Sequence, residues 1–447
     1  MPRIANWCGR VWASPAEILR PTSEPELCRL VRRAAREGRR VKVVGARHSF
    51  GRIWTTDDLM IELSRFHRVL QVDRERMQIT VQGGMPLHRL VRVLERFGLA
   101  LPNIGAWMEQ TVAGVTSTAT HGTSGRYRQT LPESVVRMRL VDGRGEPRVL
   151  EGAALRQVTL GLFGIITELT LQCRPFFFVR QHKHAVPREE AVERALAALE
   201  RHDLVDLRWA GSVPRALVGQ WDVEPGPPSW RDRLRQSIEA TRLWAVNRTV
   251  AAYPASRMPT ALSTRVWEVL GHAYVEASER PSRVSPWYRG LTYDSRGFAP
   301  PHDEIELALP RARAAACLRE AIALMQEDRR SAAIEVQVRF SPAIDMALAP
   351  NDGRETAWLN LNVFDAVAAA PVVDALVRLA YSYEARAHWA KVIPASDRRP
   401  ARRHPRWRQW EATRAAFDPH GVFLNRWYAR CFGGVSGELE PTQEVAA

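Results

Sequence analysis

The stretch Ala113–Gly125 (AGVTSTATHGTSG) consists almost wholly of Gly, Ala, Ser and Thr. Side chains this small build no core. They let backbone come close to something large and flat, and they offer it hydroxyls and amides. A flexible linker has a similar composition. Two features argue against a linker: apolar Val112 and Val115 flank and enter the run, and bulky His121 interrupts it. The segment therefore predicts a fold that closes around a ligand.

A second stretch, Val41–Phe50 (VKVVGARHSF), points the same way. Val41, Val43 and Val44 are β-branched and read as a buried strand that Gly45 ends. Ala46, Arg47, His48 and Ser49 follow, a group with no reason to share a core. A strand ending in a glycine turn aims successive backbone N–H groups into one concavity, which suits an anion such as phosphate. A dinucleotide turn of the Rossmann kind needs G-x-G-x-x-G opening a helix. Here there is one glycine, and Trp54 with Thr55–Asp58 stands where the amphipathic run would begin. A different cofactor site is being built.

Composition narrows the class. A chain of 447 residues is too long for one ordinary core, so two or three structural units are expected. Apolar content of 45% and charged content of 25% are those of a soluble globular protein. No run approaches the ~20 apolar residues of a membrane span. The first residues, MPRIANWCGRVW, show neither an apolar leader core nor a small-residue cleavage site. Five scattered cysteines, odd in number and not in metal-ligand pairs, suit a reducing compartment. A cytoplasmic location with no membrane partner and no metal is the expectation. The net charge of +15 is mostly arginine interleaved with acids, densest at Arg398–Arg408. No paired Cys/His, aromatic-glycine motif or basic heptad accompanies it, so a solvated surface is expected and no nucleic-acid partner.

Taken in order, the chain begins with a helix signal. Ser23 and Glu26 have capping-box spacing, Leu27, Leu30, Val31 and Ala34 share a helical face, and Gly38 ends it. Short strands are expected at His67–Asp73 and Gln78–Gln82. A second helix follows, with Pro86 in its first turn, Leu87, Leu90, Val91 and Leu94 on one face, and Gly98 at the C′ position. Ser134–Asp142 and Arg148–Leu150 read as a hairpin. Gly161 and Gly164 precede a β run alternating through Ile166, Glu168, Thr170 and Gln172. From 176 to 384 the texture changes. Helical patches (Glu189–Arg201, Pro310–Met325, Val372–Arg386) alternate with β-like runs (Asp206–Ala210, Glu304–Leu309, Ala333–Phe340). In the last of these, Glu335, Gln337 and Arg339 fall on one face, because side chains alternate along a strand.

Several of these pieces, in order, resemble one family. They are Asn6-Trp7-Cys8-Gly9, Gly45-Ala46-Arg47-His48-Ser49, the T-H-G-T-S-G ending at Gly125, and Gly161–Thr167. IEVQVRF at Ile334–Phe340, AHWAK at Ala387–Lys391, His404–Trp407 and Phe417–Asn425 complete the set. They resemble the vanillyl-alcohol-oxidase type of FAD enzymes, within it the aldonolactone and alditol oxidases (gulonolactone, arabinonolactone and alditol oxidase). The resemblance implies an α+β, two-domain FAD-binding fold of the vanillyl-alcohol-oxidase/PCMH type. Residues 1–175 would bind FAD, 176–384 would form a mixed-sheet substrate cap, 385–433 would return to the FAD domain, and 434–447 would be a disordered tail.

It also implies roles. His48 would carry FAD covalently through the methyl at carbon 8, with Val44, Gly45, Ala46, Arg47 and Ser49 around the pyrophosphate; Arg47 stands where the family usually has Gly. Ala113, Gly114, Ser117, Thr118, His121 and Gly122 would wrap the cofactor. Gly161, Gly164, Ile166, His388 and Asn425 would complete its site. Thr123 would face the substrate and Lys391 would place a cation near flavin and substrate. Arg339 matches the family's Arg, while Gln337 stands at the family's Glu. An amide cannot accept a hydroxyl proton as a carboxylate can. Either Glu335 serves from two residues back, or the substrate differs from the family's polyols and lactones. The implied reaction is oxidation of a carbinol C–H by hydride transfer to flavin N5, with dioxygen reduced to hydrogen peroxide or another acceptor reduced. An alternative is a larger hydroxylated metabolite in a biosynthetic tailoring step.

Overall fold

The structure is a computed structural model that describes residues 2–127, 130–211, 213–252, 260–291 and 300–433; the expected tail at 434–447 lies outside them. The first unit is a three-stranded parallel sheet, with Leu59–Glu62 between Glu17–Leu19 and Val41–Val44. The helix Glu24–Arg36 crosses it, buried through Leu27, Cys28, Val31 and Ala34. Its cap is a variant of the expected box. Ser23 accepts from the Glu26 N–H, but the Glu26 carboxylate reaches back to the Thr22 N–H at 2.8 Å. Next comes a five-stranded antiparallel sheet in the order Pro147–Glu151, Val135–Val141, Ile165–Gln172, Gln78–Gln82, Val69–Asp73. The helix Leu87–Arg96 follows the fourth of these and ends before Gly98, whose φ of +69 is close to the +66 of Gly38.

The third unit is an eight-stranded sheet. Its order is Arg280–Pro286, Phe178–Pro187, Arg215–Glu224, Leu204–Ala210, Ile334–Ser341, Thr356–Val363, Asp303–Pro310 and Arg386–Ala387. Where a mixed sheet was expected, every pairing is antiparallel. A parallel sheet is covered by helices on both faces, whereas an antiparallel one can pack one face and keep the other polar. Helices Ala191–Leu199, Arg311–Glu327 and Ala366–Ser382 pack against these strands. The opposite face is polar and looks into a cavity.

Two long helices, Trp230–Ala252 and Thr260–Ser278, fall in a part of the sequence that showed no clear pattern. Their apolar residues are not confined to one face: Trp230, Leu234, Ile238 and Val269 are exposed, so the usual period is blurred. Two further helices, Trp407–Phe417 and Arg426–Phe432, close the described chain. All five cysteines are buried and unbridged. Among the described residues no helix is long and apolar enough to cross a membrane.

Candidate active site

The glycine-ended strand and the small-residue segment meet as neighbouring walls. One cavity is lined by Val44, Gly45, Ala46, Arg47, His48, Ser49, Ala113, Gly114, Ser117, Thr118, Gly161, Gly164 and Ile166. The walls approach closely. A Cβ on Gly45 would lie 2.3 Å from Thr111 Oγ1, and one on Gly83 would lie 2.3 Å from the Ile166 carbonyl oxygen. Three non-glycine residues in these loops, Arg47, Ala119 and Leu160, have φ of +56, +54 and +52, a cluster of strain typical of ligand-holding loops. Arg47 thus follows the left-handed path that a glycine would take. Its guanidinium is held by Glu62 at 2.9 Å.

Lys42 lines the same cavity. Its amine is buried with no hydrogen-bond partner, and burial pushes its pKa down to about 7, with Asp418 opposing. Between about pH 7 and its unfolded value the unfolded chain holds a proton that the folded chain does not. Stability of the FAD-free protein should therefore rise with pH across that window. Lys42→Met should flatten this rise, measured as the thermal midpoint of wild type against variant from pH 7 to 10.

A larger cavity shares His48, Gln110 and Ala390 with the first. Its floor is the polar face of the eight-stranded sheet. The register sets Asp206 opposite Arg339, Arg208 opposite Gln337, Glu335 opposite Asn362, and Glu306 opposite Asn360. Four acids (Asp206, Glu304, Glu306, Glu335) and four cations (Lys183, Arg208, Arg339, Lys391) line this space.

They are cross-wired. Lys391 Nζ lies 2.5 Å from Glu304, and Asn360 also donates to Glu304. Arg339 pairs with Glu306, whose carboxyl is held well below the usual range by Arg339 and His121 although burial pushes it up. Asp206 accepts from Arg208 at 2.8 Å and from the Gln337 amide at 3.1 Å. Glu335 accepts from Tyr274 at 2.7 Å and from Asn362 at 2.6 Å.

The histidines are neutral at pH 7. Burial takes His48 down to about 4, assisted by Lys391, and takes His388 down to about 3. His121 is lowered too, again mainly by burial. His388 Nδ1 accepts the Ala390 N–H at 3.2 Å, so Nε2 holds the proton. His121 faces an acceptor on each side, the Gly122 carbonyl 2.9 Å from Nδ1 and the Glu306 carboxylate 3.3 Å from Nε2. The His121 ring stacks on Trp358 at 3.7 Å. Ligand-type atoms of His121, Glu306 and His388 lie within 4.8 Å of one another, but Arg339 already supplies the positive charge at Glu306.

Several sequence expectations meet different surroundings. His121, Gly122 and His388, expected around the cofactor, line the larger cavity and not the smaller one. The Thr123 hydroxyl lines the larger cavity but donates to the Val205 carbonyl and accepts from the Phe340 N–H at 3.2 Å, tying the loop to the sheet. Glu335 is engaged by two donors, which lowers its fitness as a base. Asn425 does not reach either cavity. Its carbonyl caps the last helix at Tyr428, and its amide donates to Ile53 and Thr55, so its position in the motif serves the chain's return path.

Glu304, Glu306, Asp206 and Arg208 were missed as site residues. The signal was present: acids at alternate positions inside the otherwise apolar run EIELAL mark one polar face of an interior strand.

The glycine-ended strand turn and the small-residue wall adjoin a charged chamber, and the chain's relatives identify it as a FAD-dependent oxidoreductase acting on CH–OH groups. Residues 15–151 match the FAD binding domain family and residues 169–431 match the D-arabinono-1,4-lactone oxidase family. The chain belongs to the D-arabinono-1,4-lactone oxidase family, and its cofactor is FAD. It is 29% identical over 439 residues to L-gulono-1,4-lactone dehydrogenase of Mycobacterium tuberculosis, covering 97% of this chain and 99% of that protein. It is 29% identical to alditol oxidase of Streptomyces sp., covering 94% of this chain and 97% of the relative. Identity to L-gulonolactone oxidase of Bos taurus is 27%, over 96% of this chain and 98% of that protein. Among solved structures, cholesterol oxidase from Brevibacterium sterolicum shares the fold, with a TM-score of 0.71 at 13% identity over 96% of both chains.

Proposed function

We propose that the smaller cavity holds FAD, linked covalently through His48, and that the larger one binds a neutral polyhydroxylated substrate such as a sugar lactone or alditol. Residues 1–175 with 385–433 would hold the cofactor and 176–384 would cap it. The observation that carries this reading is His48: it lines both cavities, is neutral, and has a buried Nδ1 with no partner. Such a nitrogen fits a bond to the cofactor's ring. The glycine approaches at 45 and 83 fit the close passage of a dinucleotide.

Bound there, FAD supplies the acceptor for hydride from the substrate's carbinol carbon; dioxygen, giving hydrogen peroxide, is the proposed final acceptor. The chain supplies the rest. His121 Nε2 takes the hydroxyl proton, and Glu306 at 3.3 Å steadies the imidazolium that results. This answers the amide at Gln337, which is tied to Asp206 and accepts no proton. Lys391 and Arg339, oriented by Glu304 and Glu306, place positive charge beside the oxygen as it loses its proton. His388 Nε2–H is a further donor. Buried, unbridged cysteines suit a cytoplasmic protein.

The test is to precipitate the holoenzyme in acid. Flavin fluorescence is expected to stay with the wild-type chain and to pass into the supernatant in His48→Ala. Release from the wild type would remove the covalent link from the reading.

A further inference from the structure

The larger cavity has two unlike sides. Opposite the charged sheet stand the two long helices. Leu243, Trp244, Val246 and Val250 of the first, with Trp267 and Leu270 of the second, line the space. These positions recur at helical spacing, the pattern of a face that normally packs into a core. The second helix touches the sheet at one end. There a Cβ on Gly271 would lie 3.1 Å from Val213 and 3.5 Å from Ala210, and Tyr274 donates to Glu335. Trp267, Val250 and Leu270 also pack with Ala332, Ala333 and Phe364, while Leu243, Trp244 and Val246 line the cavity across from the polar sheet.

Lining and charge define the occupant. The cavity is divided, with apolar side chains on the helix side and charged ones on the sheet, and ligand pockets pair an apolar lining with a few placed polar groups. A bare six-carbon lactone or alditol offers hydroxyls to the sheet but nothing apolar to Leu243, Trp244 and Leu270 on the helix side. The lining acids and cations balance and its histidines are neutral, so an ionised ligand would find no compensating charge.

We infer that the substrate is a neutral amphiphile: a polyhydroxylated head on the sheet beside His121 and Lys391, joined to an aryl or alkyl group lodged under the helix pair. This rests on the reading of the site as a carbinol oxidase and adds a second subsite to it.

The test uses matched pairs on the FAD-loaded enzyme: sorbitol against 1-O-hexylsorbitol, and L-gulono-1,4-lactone against its 6-O-benzyl ether. Binding is measured by calorimetry without oxygen, and flavin bleaching reports reaction. At least one substituted member should bind tenfold or more tighter than its parent, since each buried CH₂ adds substantially to affinity. Trp244→Ala and, separately, Leu270→Ala should cut that ratio below about threefold. Ratios below threefold in the wild type for both pairs would overturn the inference, as would a tenfold preference that survives both substitutions. Tighter binding of the substituted member with no bleaching by any compound would leave the subsite standing and remove the oxidase reading. Bleaching by the parents with no preference would do the reverse.

Discussion

Glu306→Gln is expected to lower turnover by about 10²–10⁴-fold, the range for loss of an acid–base partner. It is also expected to destabilise the protein by about 3–5 kcal/mol, the cost of breaking a buried ion pair from one side. Glu306 is 1% exposed and faces both Arg339 and His121. Gln keeps the shape but leaves the Arg339 guanidinium buried beside a neutral group. The pH profile separates catalysis from packing. Burial lowers the His121 pKa and Glu306 raises it, with burial prevailing. Wild-type kcat/KM should therefore fall on the acid side only below the ordinary histidine range, as His121 Nε2 becomes protonated. Removing the carboxylate removes what favours the imidazolium, so the acid limb should move to still lower pH. A Glu306 that only braced the fold would lower the thermal midpoint and leave the limb in place. The ion pair itself is present at neutral pH and is lost as pH falls through the depressed Glu306 pKa.

Lys391→Met should cost about 10²–10³-fold in kcat, comparable with deleting one preorganised donor from a site where negative charge develops. Lys391 is fixed by Glu304 on one side and by the Phe50 ring on the other, its Nζ 5.0 Å from the ring centre. The substitution also strands Glu304, which is 5% exposed, so stability should fall with activity. The double variant Lys391→Met/Glu304→Gln tells the two apart. It removes both charges, so the thermal midpoint should recover toward wild type while kcat stays low. Recovery of both together would mean that Lys391 acts only through the fold.

Much of the smaller cavity was legible because its signals are local. The glycine-ended strand at Val41–Gly45, the small residues from Ala113, and Gly161 with Gly164 all line one cavity. The left-handed φ at Arg47 shows why its place could be matched to a glycine without the loop changing course. The larger cavity was legible in part. Arg339, Gln337, Glu335, His388 and Lys391 do converge, yet the two acids that organise them could not be paired from spacing alone. Glu304 and Glu306 are more than 30 positions from Arg339 and more than 80 from Lys391 in the chain. Only the strand order, with Thr356–Val363 between Ile334–Ser341 and Asp303–Pro310, makes them neighbours.

The sequence by itself determined the cofactor class, the cavity-lining loops and the candidate cations, since backbone permissiveness and side-chain size act over a few residues. The tertiary structure alone decided which charges meet, which histidine nitrogen keeps its lone pair, and that Asn425 and the Thr123 hydroxyl hold chain to chain. It alone set an apolar helix pair over a polar sheet. Those outcomes depend on register across strands distant in the chain, where a shift of one residue would turn every side chain to the other face.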